Sequence, residues 1–458
     1  MKLSLAWIAG VLGLDQSIEG SVGSYAIDSR EAALGTLFFA LPGERTDGHQ
    51  YVASALEAGA AACLVRREWQ GDVPENRLLR VEDPAEALRA LAAAARVKWG
   101  GTVLAVTGSN GKTTTKDSLA ALLSSKGAVS KTAGNLNNEL GLPLTLLRIA
   151  DEARVAVVEA GMNHAGELRR LAATARPDVA VVTNVSPAHV GHFGSVEDVA
   201  AAKRELVEGL VPGGTAVLNA DDARVRRFSG IHEGPTVTFG ESSDADLRIS
   251  AVSSGLDGSR FTVVYQGDSI DLECGLPGRH NVWNVAAALA AATTLGFRPS
   301  QLKDAVGGLR AAPMRGGVSR RAGVTVIDES YNSNPAAVAA SLALLESTNA
   351  SRRIAVLGEM RELGAQSQAL HHEAGRGAAF VDRLLAVAGD ARHFLSGAFE
   401  AGLDRSHGAF FETAEEAGVA LSALLKPDDA VLFKGSRGVG LERAMERAFL
   451  RSAETVNG

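Results

Sequence analysis

The sequence predicts an α/β protein of three domains: a small N-terminal α/β domain (1–82), a central domain on a parallel sheet (83–312) and a C-terminal Rossmann-like domain (313–458). Three observations carry that expectation. At 458 residues the chain exceeds one ordinary domain, and roughly three is the natural division. From about residue 101 onward, short Val/Ala-rich runs alternate with helical patterns, as strands buried on both faces between helices do. The stretch Val103 to Gly127 reads as a buried strand, a glycine turn and a helix, and the middle of the chain is arranged around it.

In chain order, MKLSLAWIAGVLGL has a single leading positive charge and an apolar run broken by Ser4 and glycines, so it reads as a packed helix ending near Gly13 rather than a secretory signal. Strands follow at Thr36–Leu41 and Ala62–Val65, with a helix pattern from His49 to Ala58 between them. Ile27-Asp28-Ser29-Arg30 is a polar turn that could hold a phosphate or uracil group but, taken alone, reads first as a solvated turn. Asp83-Pro84 opens an Ala-rich helix to Trp99, with Asp as cap and Pro in the first turn. Central strands are expected at 103–106, 155–158, 179–182 and 216–219, then alternating β patterns with Gly-rich turns over 236–276, and an Ala-rich helix from Gly278 to Leu295. Strands at 324–327, 354–357, 384–387 and 430–433, with helices between, predict a second doubly wound sheet.

Composition narrows the function classes. The balance of 46% hydrophobic and 22% charged residues suits globular domains with ample core. A net charge of −7 without a Lys/Arg cluster argues against a nucleic-acid partner, though a few local Arg and Lys can still hold an anionic small substrate. No run reaches the 18 or more apolar residues of a membrane span. Cys63 and Cys274 lie far apart without metal-ligand spacing, as buried small residues in a reducing cytoplasm would.

The chemistry concentrates at strand ends. Gly108-Ser109-Asn110-Gly111 lets the backbone wrap an anion, and the helix that begins with Lys112, Thr113 and Thr114 adds the positive end of its dipole. This is a nucleotide-phosphate loop, with Lys112 reaching the β/γ-phosphates of ATP and the Thr113 hydroxyl ligating Mg²⁺. It is of a shortened type, because Val106 stands where the usual pattern has glycine. Glu159 ends a strand, where a carboxylate can hold the same Mg²⁺. His189 follows another strand end and reads as a structural residue as readily as a ligand, with His192 as competitor. Asn137 and Asn138 lie in an amide-rich loop suited to capping a helix or meeting substrate. On composition alone Lys203 is a solvated helix lysine. The clusters Asp328–Pro335 and Lys434–Gly438 each follow a strand, and Arg437 can hold a carboxylate bidentately.

Taken together, these segments resemble the Mur ligase family over essentially the whole chain. The shared elements are TGSNGKTTTK at 107–116, the Glu159 strand end, TNVSPAH at 183–189, AAKREL at 201–206, GRHNVWN at 278–284 and KGSRGVGLE at 434–442. DSR with LFFALPGERTDGH at 28–48, AGNLNNELGLPLTLL at 133–147, DESYNSNP at 328–335, and LGEMRELG followed by His371 and His372 are similar to the branch that adds D-alanyl-D-alanine. The usual Asn-Ala-Asn-Pro of that branch is Asn332-Ser333-Asn334-Pro335 here. The resemblance implies a cytoplasmic, monomeric ligase that joins D-alanyl-D-alanine to UDP-N-acetylmuramoyl-tripeptide with ATP and two Mg²⁺, through an acyl phosphate, for peptidoglycan. It also implies an N-carboxylated Lys203 that binds the second Mg²⁺ with His189, an adenine contact from Asn284, and nucleotide contacts from Arg315 and Asp328. Ser29 and Arg30 become candidates for the uridine diphosphate, Asn137 and Asn138 for the substrate, and Ser436 and Arg437 for the carboxylate of the incoming amine. With groups from all three domains in one site, closure about a hinge near Ala311-Ala312-Pro313 is expected.

Overall fold

Strand Thr102–Thr107 shows how the apolar runs become a two-faced sheet. Side chains alternate along a strand, so Leu104 and Val106 join one core with Val157, Val179, Val181 and Val217. Val103 and Ala105 join another with Ala156, Val158, Ala180 and Val182. Helices Lys112–Ser124 and Arg279–Thr293 cover the first face, and helices Pro84–Trp99, Glu167–Ala175 and Val196–Glu208 supply residues to the second. The computed structural model describes residues 1–15, 18–43, 46–187 and 190–450.

Among the described residues the central sheet has nine strands, in the order 268–274, 258–265, 247–255, 236–240, 215–219, 179–182, 102–107, 155–159 and 129–131. Its pairs are parallel from 247–255 to 129–131, and 258–265 and 268–274 add an antiparallel meander. Of the alternating pattern expected over 236–276, strand 236–240 joins the parallel part and 247–274 forms that meander, buried on one face and open on the other.

Among the described residues the N-terminal part builds a four-stranded parallel sheet in chain order from 24–26, 36–39, 62–66 and 78–81. Ahead of it, Leu3–Ser4 pairs with Ser21–Val22, and helix Leu5–Val11 follows, with the Ser4 hydroxyl accepting from Trp7 N at 3.2 Å. Asp83 caps helix Pro84–Trp99, and Gly100, at φ +69°, ends it. Among the described residues the third sheet has six strands, ordered 317–321, 324–329, 429–434, 352–358, 383–387 and 408–411, all parallel except the first pair. Of its two edge strands, 317–321 is mostly polar and exposed, and 408–411 ends in Ala409-Phe410-Phe411 but is only partly covered. Both cysteines are buried and unpaired. No helix among the described residues is long and apolar enough to cross a membrane.

Helix Gly141–Leu147, fully buried, connects two regions of interest. The Asn138 side-chain oxygen accepts from Leu140 N and Gly141 N at its start. At its end Arg148 donates to Tyr25 O and to Glu31, beside the polar turn that holds Ser29 and Arg30.

Candidate nucleotide and cation site

Both loop glycines are required by close approach. Gly108 and Gly111 lie at φ +153° and +80°; a Cβ on the first would overlap the Thr183 hydroxyl, and one on the second the Asn284 side-chain oxygen. The neighbouring strand end, residues 183–186, clamps the loop. Thr183 Oγ1 and Asn184 Nδ2 donate to Asn110 O at 2.6 and 3.1 Å, Asn110 N donates to Asn184 Oδ1 at 2.9 Å, and Ser186 N donates to Ser109 Oγ at 2.9 Å. The loop is therefore shaped before any anion arrives.

Lys112 is half-buried, and its Nζ donates to Gly108 O at 2.8 Å and Ser109 O at 3.3 Å. Burial lowers its pKa; the Glu159 charge opposes that, and Arg315 adds to it. Across the loop, Thr113 Oγ1 donates to Glu159 Oε2 and Asn137 Nδ2 to Glu159 Oε1, both at 2.8 Å. Glu159 is 1% exposed, and its own N–H is held by Thr132 Oγ1 at 3.0 Å. A buried carboxylate beside a hydroxyl at a phosphate loop gives the hard oxygens that Mg²⁺ shares with a phosphate. The donor set fits that ion.

Lys203 overturns its compositional reading. It is 2% exposed on the inner face of helix Val196–Glu208, not solvated, because Val199, Ala202 and Leu206 on the same face draw it into the core. Burial drives its pKa well below the usual lysine value, and the charge of Lys112 pushes the same way. The two ammonium groups therefore feel each other. His189 lies outside the described residues.

A cleft of about 470 Å³ opens over the loop between the central and third domains. It brings together Ser109, Asn110, Gly111, Lys112, Thr113, Thr114, Asn137, Asn138, Glu159, Asn284 and Arg315. Asn284 is buried, donating to Asn281 Oδ1 at 2.9 Å while its oxygen lies over Gly111. From the third domain, the Arg315 guanidinium stacks 3.7 Å from the Tyr331 ring centre. Asn334 Nδ2 donates to Asn110 Oδ1 at 2.7 Å, while its oxygen caps helix Pro335–Glu346 by accepting from Ala337 N at 3.0 Å.

Other expected site residues lie elsewhere. Gly108 sits beneath the loop. Asp328 does not line the cleft; its carboxylate accepts from Ser330 N and Oγ at 3.1 and 2.5 Å. Its neighbour Glu329 lines the cleft instead, paired with Lys434 at 3.3 Å. Strand parity explains the exchange. Asp328 shares its face with Val324 and Val326, whereas Glu329 falls on the face of Ile327, and Lys434 on that of Leu432. Two opposite charges ending adjacent apolar strands were the available signal for this pair. Ser436 is 4% exposed, donating from N to Glu359 O at 3.1 Å and accepting from Arg361 N at 2.9 Å, and Arg437 pairs with Glu442. Ser29 and Arg30 form a short turn capped by Asp28, whose pKa the Arg30 hydrogen bonds pull down to about 2. None of these four lines the cleft.

Comparison with known proteins matches the chain in three successive segments. Residues 22–96 match the family model described as Mur ligase family, catalytic domain; 106–292 match Mur ligase middle domain; and 314–437 match Mur ligase, glutamate ligase domain. The chain is 33% identical to the UDP-N-acetylmuramoyl-tripeptide–D-alanyl-D-alanine ligase of Bacillus subtilis (strain 168) over 96% of both chains. With the enzyme of that name from Escherichia coli (strain K12) it shares 34% identity over 97% of this chain and 98% of the other. Among solved structures, MurF from Acinetobacter baumannii matches with a TM-score of 0.89 and 30% identity, over 98% of this chain and 99% of that one. The MurF ligase from Thermotoga maritima in complex with ADP matches at 0.82 and 29%, over 94% and 98%. With a clamped phosphate loop, a hydrogen-bonded Thr113–Glu159 pair beside it and three successive segments that each match the same family, this chain belongs to the Mur ligase family.

Proposed function

We propose that this chain is an ATP-dependent ligase that forms the amide bond between UDP-N-acetylmuramoyl-tripeptide and D-alanyl-D-alanine in cytoplasmic peptidoglycan precursor synthesis. The observation that carries the reading is the cleft itself: a preshaped phosphate loop and buried carboxylate on one wall, with Arg315, Glu329, Asn334 and Lys434 of the third domain on the other. The relatives matched along nearly their whole length carry this activity in their names. In the division of labour we propose, residues 1–82 hold the nucleotide sugar, 83–312 hold ATP, and 313–458 present the dipeptide. One chain contains all three parts, which supports a monomer as the working unit.

A carboxylate is a poor electrophile, so the reaction first makes it a better one. A carboxylate oxygen of the tripeptide bonds to the γ-phosphorus, the β–γ bridging P–O bond breaks, and ADP leaves. Lys112, freed from Gly108 O and Ser109 O, turns toward the transferring phosphoryl group, and the loop N–H groups hold the β-phosphate. Thr113 and Glu159 would hold one Mg²⁺, and the carbamate of an N-carboxylated Lys203, with His189, a second; when bound they would offset charge on the phosphoryl oxygens. Lys203 is suited to N-carboxylation: burial beside Lys112 favours the neutral amine, whose nitrogen bonds the carbon of CO₂ and loses a proton to solvent, and the resulting carbamate turns repulsion from Lys112 into attraction. The dipeptide amine then attacks the acyl carbon, a C–N bond replaces the C–O bond, and phosphate leaves with the amine proton passing to solvent. Arg315 and Asn284 flank the nucleotide. Ser436 and Arg437 receive the dipeptide carboxylate once Arg437 parts from Glu442, and Ser29 and Arg30 meet the uridine diphosphate.

ADP release measured with the nucleotide-linked tripeptide and a panel of amines tests the reading. Release is expected only when tripeptide and D-alanyl-D-alanine are both present. Equal rates with diaminopimelate or glutamate as the amine, or release without any amine, would overturn it.

A further inference from the structure

LGEMRELG and the histidine after it have no part in the chemistry above, yet their geometry is specific. His371 is wholly buried in helix Ser367–Arg376, with its ring set edge-on to Phe394, 4.8 Å between centres. Its Nε2 accepts from Met360 N at 2.8 Å, and its Nδ1 lies 2.7 Å from Ser367 O. A carbonyl can only accept, and a backbone N–H can only donate, so the ring is held neutral with its proton on Nδ1.

We propose that His371 is a positioning residue: in its neutral Nδ1–H form it docks the segment 359–364 against the Ser436 turn and against the central domain. The segment makes both contacts through its backbone. Glu359 O accepts from Ser436 N, and Arg361 N donates to Ser436 Oγ. Glu362 O accepts from Gly191 N of the central domain at 3.1 Å. Gly191 and Gly364 touch so closely that a Cβ on either would come within 2.7 Å of the other's backbone. The same segment brings the Glu362 carboxylate within electrostatic reach of Lys112. Met360, between Glu359 and Arg361, is 1% exposed, and its N–H has His371 as its acceptor. One ring nitrogen therefore holds the middle of a segment that links the proposed dipeptide turn to the phosphate-loop domain.

Protonating Nε2 sets an N–H against the Met360 N–H, so the charged ring and the docked segment exclude each other. Burial lowers the ring's pKa from 6.5. The charged and titratable groups facing it are Glu359 from the strand end, Asp390 from the following turn and His393 from the next helix; the two carboxylates raise the pKa and His393 lowers it further, without overturning burial. The sign follows. The undocked ring binds a proton more readily than the docked one, so docking weakens as the pH falls below 6.5 and levels off beneath the ring's own lower value.

Amide hydrogen exchange over 358–366, corrected for intrinsic rates and followed from pH 8 to pH 5, tests this without relying on ligase activity. His371→Gln keeps a neutral acceptor near Nε2, and His371→Leu fills the volume without one. The wild-type chain is expected to lose at least ten-fold in protection across that range. His371→Gln keeps its protection throughout. His371→Leu is unprotected at every pH, while strands 352–358 and 429–434 stay protected in all three proteins. The same acid loss in wild type and His371→Gln, or wild-type protection in His371→Leu, would overturn the assignment. The comparison of wild type with His371→Gln decides the matter even if the leucine variant does not fold.

Discussion

Asn334 holds two structures together at once, and replacing it with Asp separates them. Its oxygen caps helix Pro335–Glu346, while its NH₂ reaches across the cleft to Asn110 Oδ1 at 2.7 Å. Asp caps as well as Asn does, so Asn334→Asp leaves the helix intact. It turns the bridging donor into an acceptor facing an acceptor, losing about 1 kcal/mol. It also puts a negative charge beside the phosphate loop. Two unit charges about 7 Å apart at an effective dielectric of about 20 repel by about 2 kcal/mol. The sum, about 3 kcal/mol, is roughly a 100-fold loss of affinity for ATP. Titration calorimetry with a non-hydrolysable ATP analogue and Mg²⁺ measures it, and thermal unfolding checks the cap. Asn334→Ala is the control, since it loses the bridge and the cap but adds no charge. It should bind the analogue only about five-fold more weakly while losing about 1 kcal/mol of stability. Binding by Asn334→Asp within three-fold of wild type, or tighter than by Asn334→Ala, would refute the reasoning.

Lys112→Ala should retain its fold and lose about a thousand-fold or more in turnover, because the charge that meets the transferring phosphoryl group is gone; near-normal turnover in a steady-state assay would remove the loop from the mechanism. Lys203→Ala should be nearly inactive and partly rescued by formate or acetate, and wild-type protein equilibrated with ¹³C-bicarbonate should show a carbamate carbon by NMR that the variant lacks. Ser333→Ala should stabilise the chain by about 1 kcal/mol, because the buried Ser333 hydroxyl has no hydrogen-bond partner among the described residues; a fall in the urea midpoint would show that the hydroxyl is satisfied after all.

Much of the site was legible because its signals are local. A loop whose glycines, Lys112 and Thr113 are contiguous, and a carboxylate that ends an apolar run, declare themselves in a few residues. Their side chains then fall where strand and helix geometry must put them. The rest depended on partners distant in sequence. Nothing around Lys203 in AAKREL marks it as buried, since that follows from which face of its helix meets the sheet. Asp328 and Glu329 differ by one residue of strand parity, and the side of the sheet that faces the cleft is a tertiary fact. Helix Gly141–Leu147 carries Gly141 and Pro143 in its first turn and is buried all round, so neither propensity nor periodicity shows it. Edge strand 317–321 lacks the apolar run that revealed its neighbours, and 408–411 has one of only three residues, Ala409-Phe410-Phe411, too short to stand out.

The order in which the site's pieces are synthesised has a consequence for the newborn chain. The loop at 108–113 emerges early, but Gly111 is covered by Asn284, and Asn110 is bridged by Asn334, 224 residues downstream. Contacts so distant in sequence close late, after the strands between them have paired. A chain still on the ribosome with only its first two hundred residues made has a glycine-rich loop but no cleft, and so no competent grip on ATP. Nucleotide binds the finished fold and not its precursors, so cellular ATP stabilises only chains that have been completed and assembled.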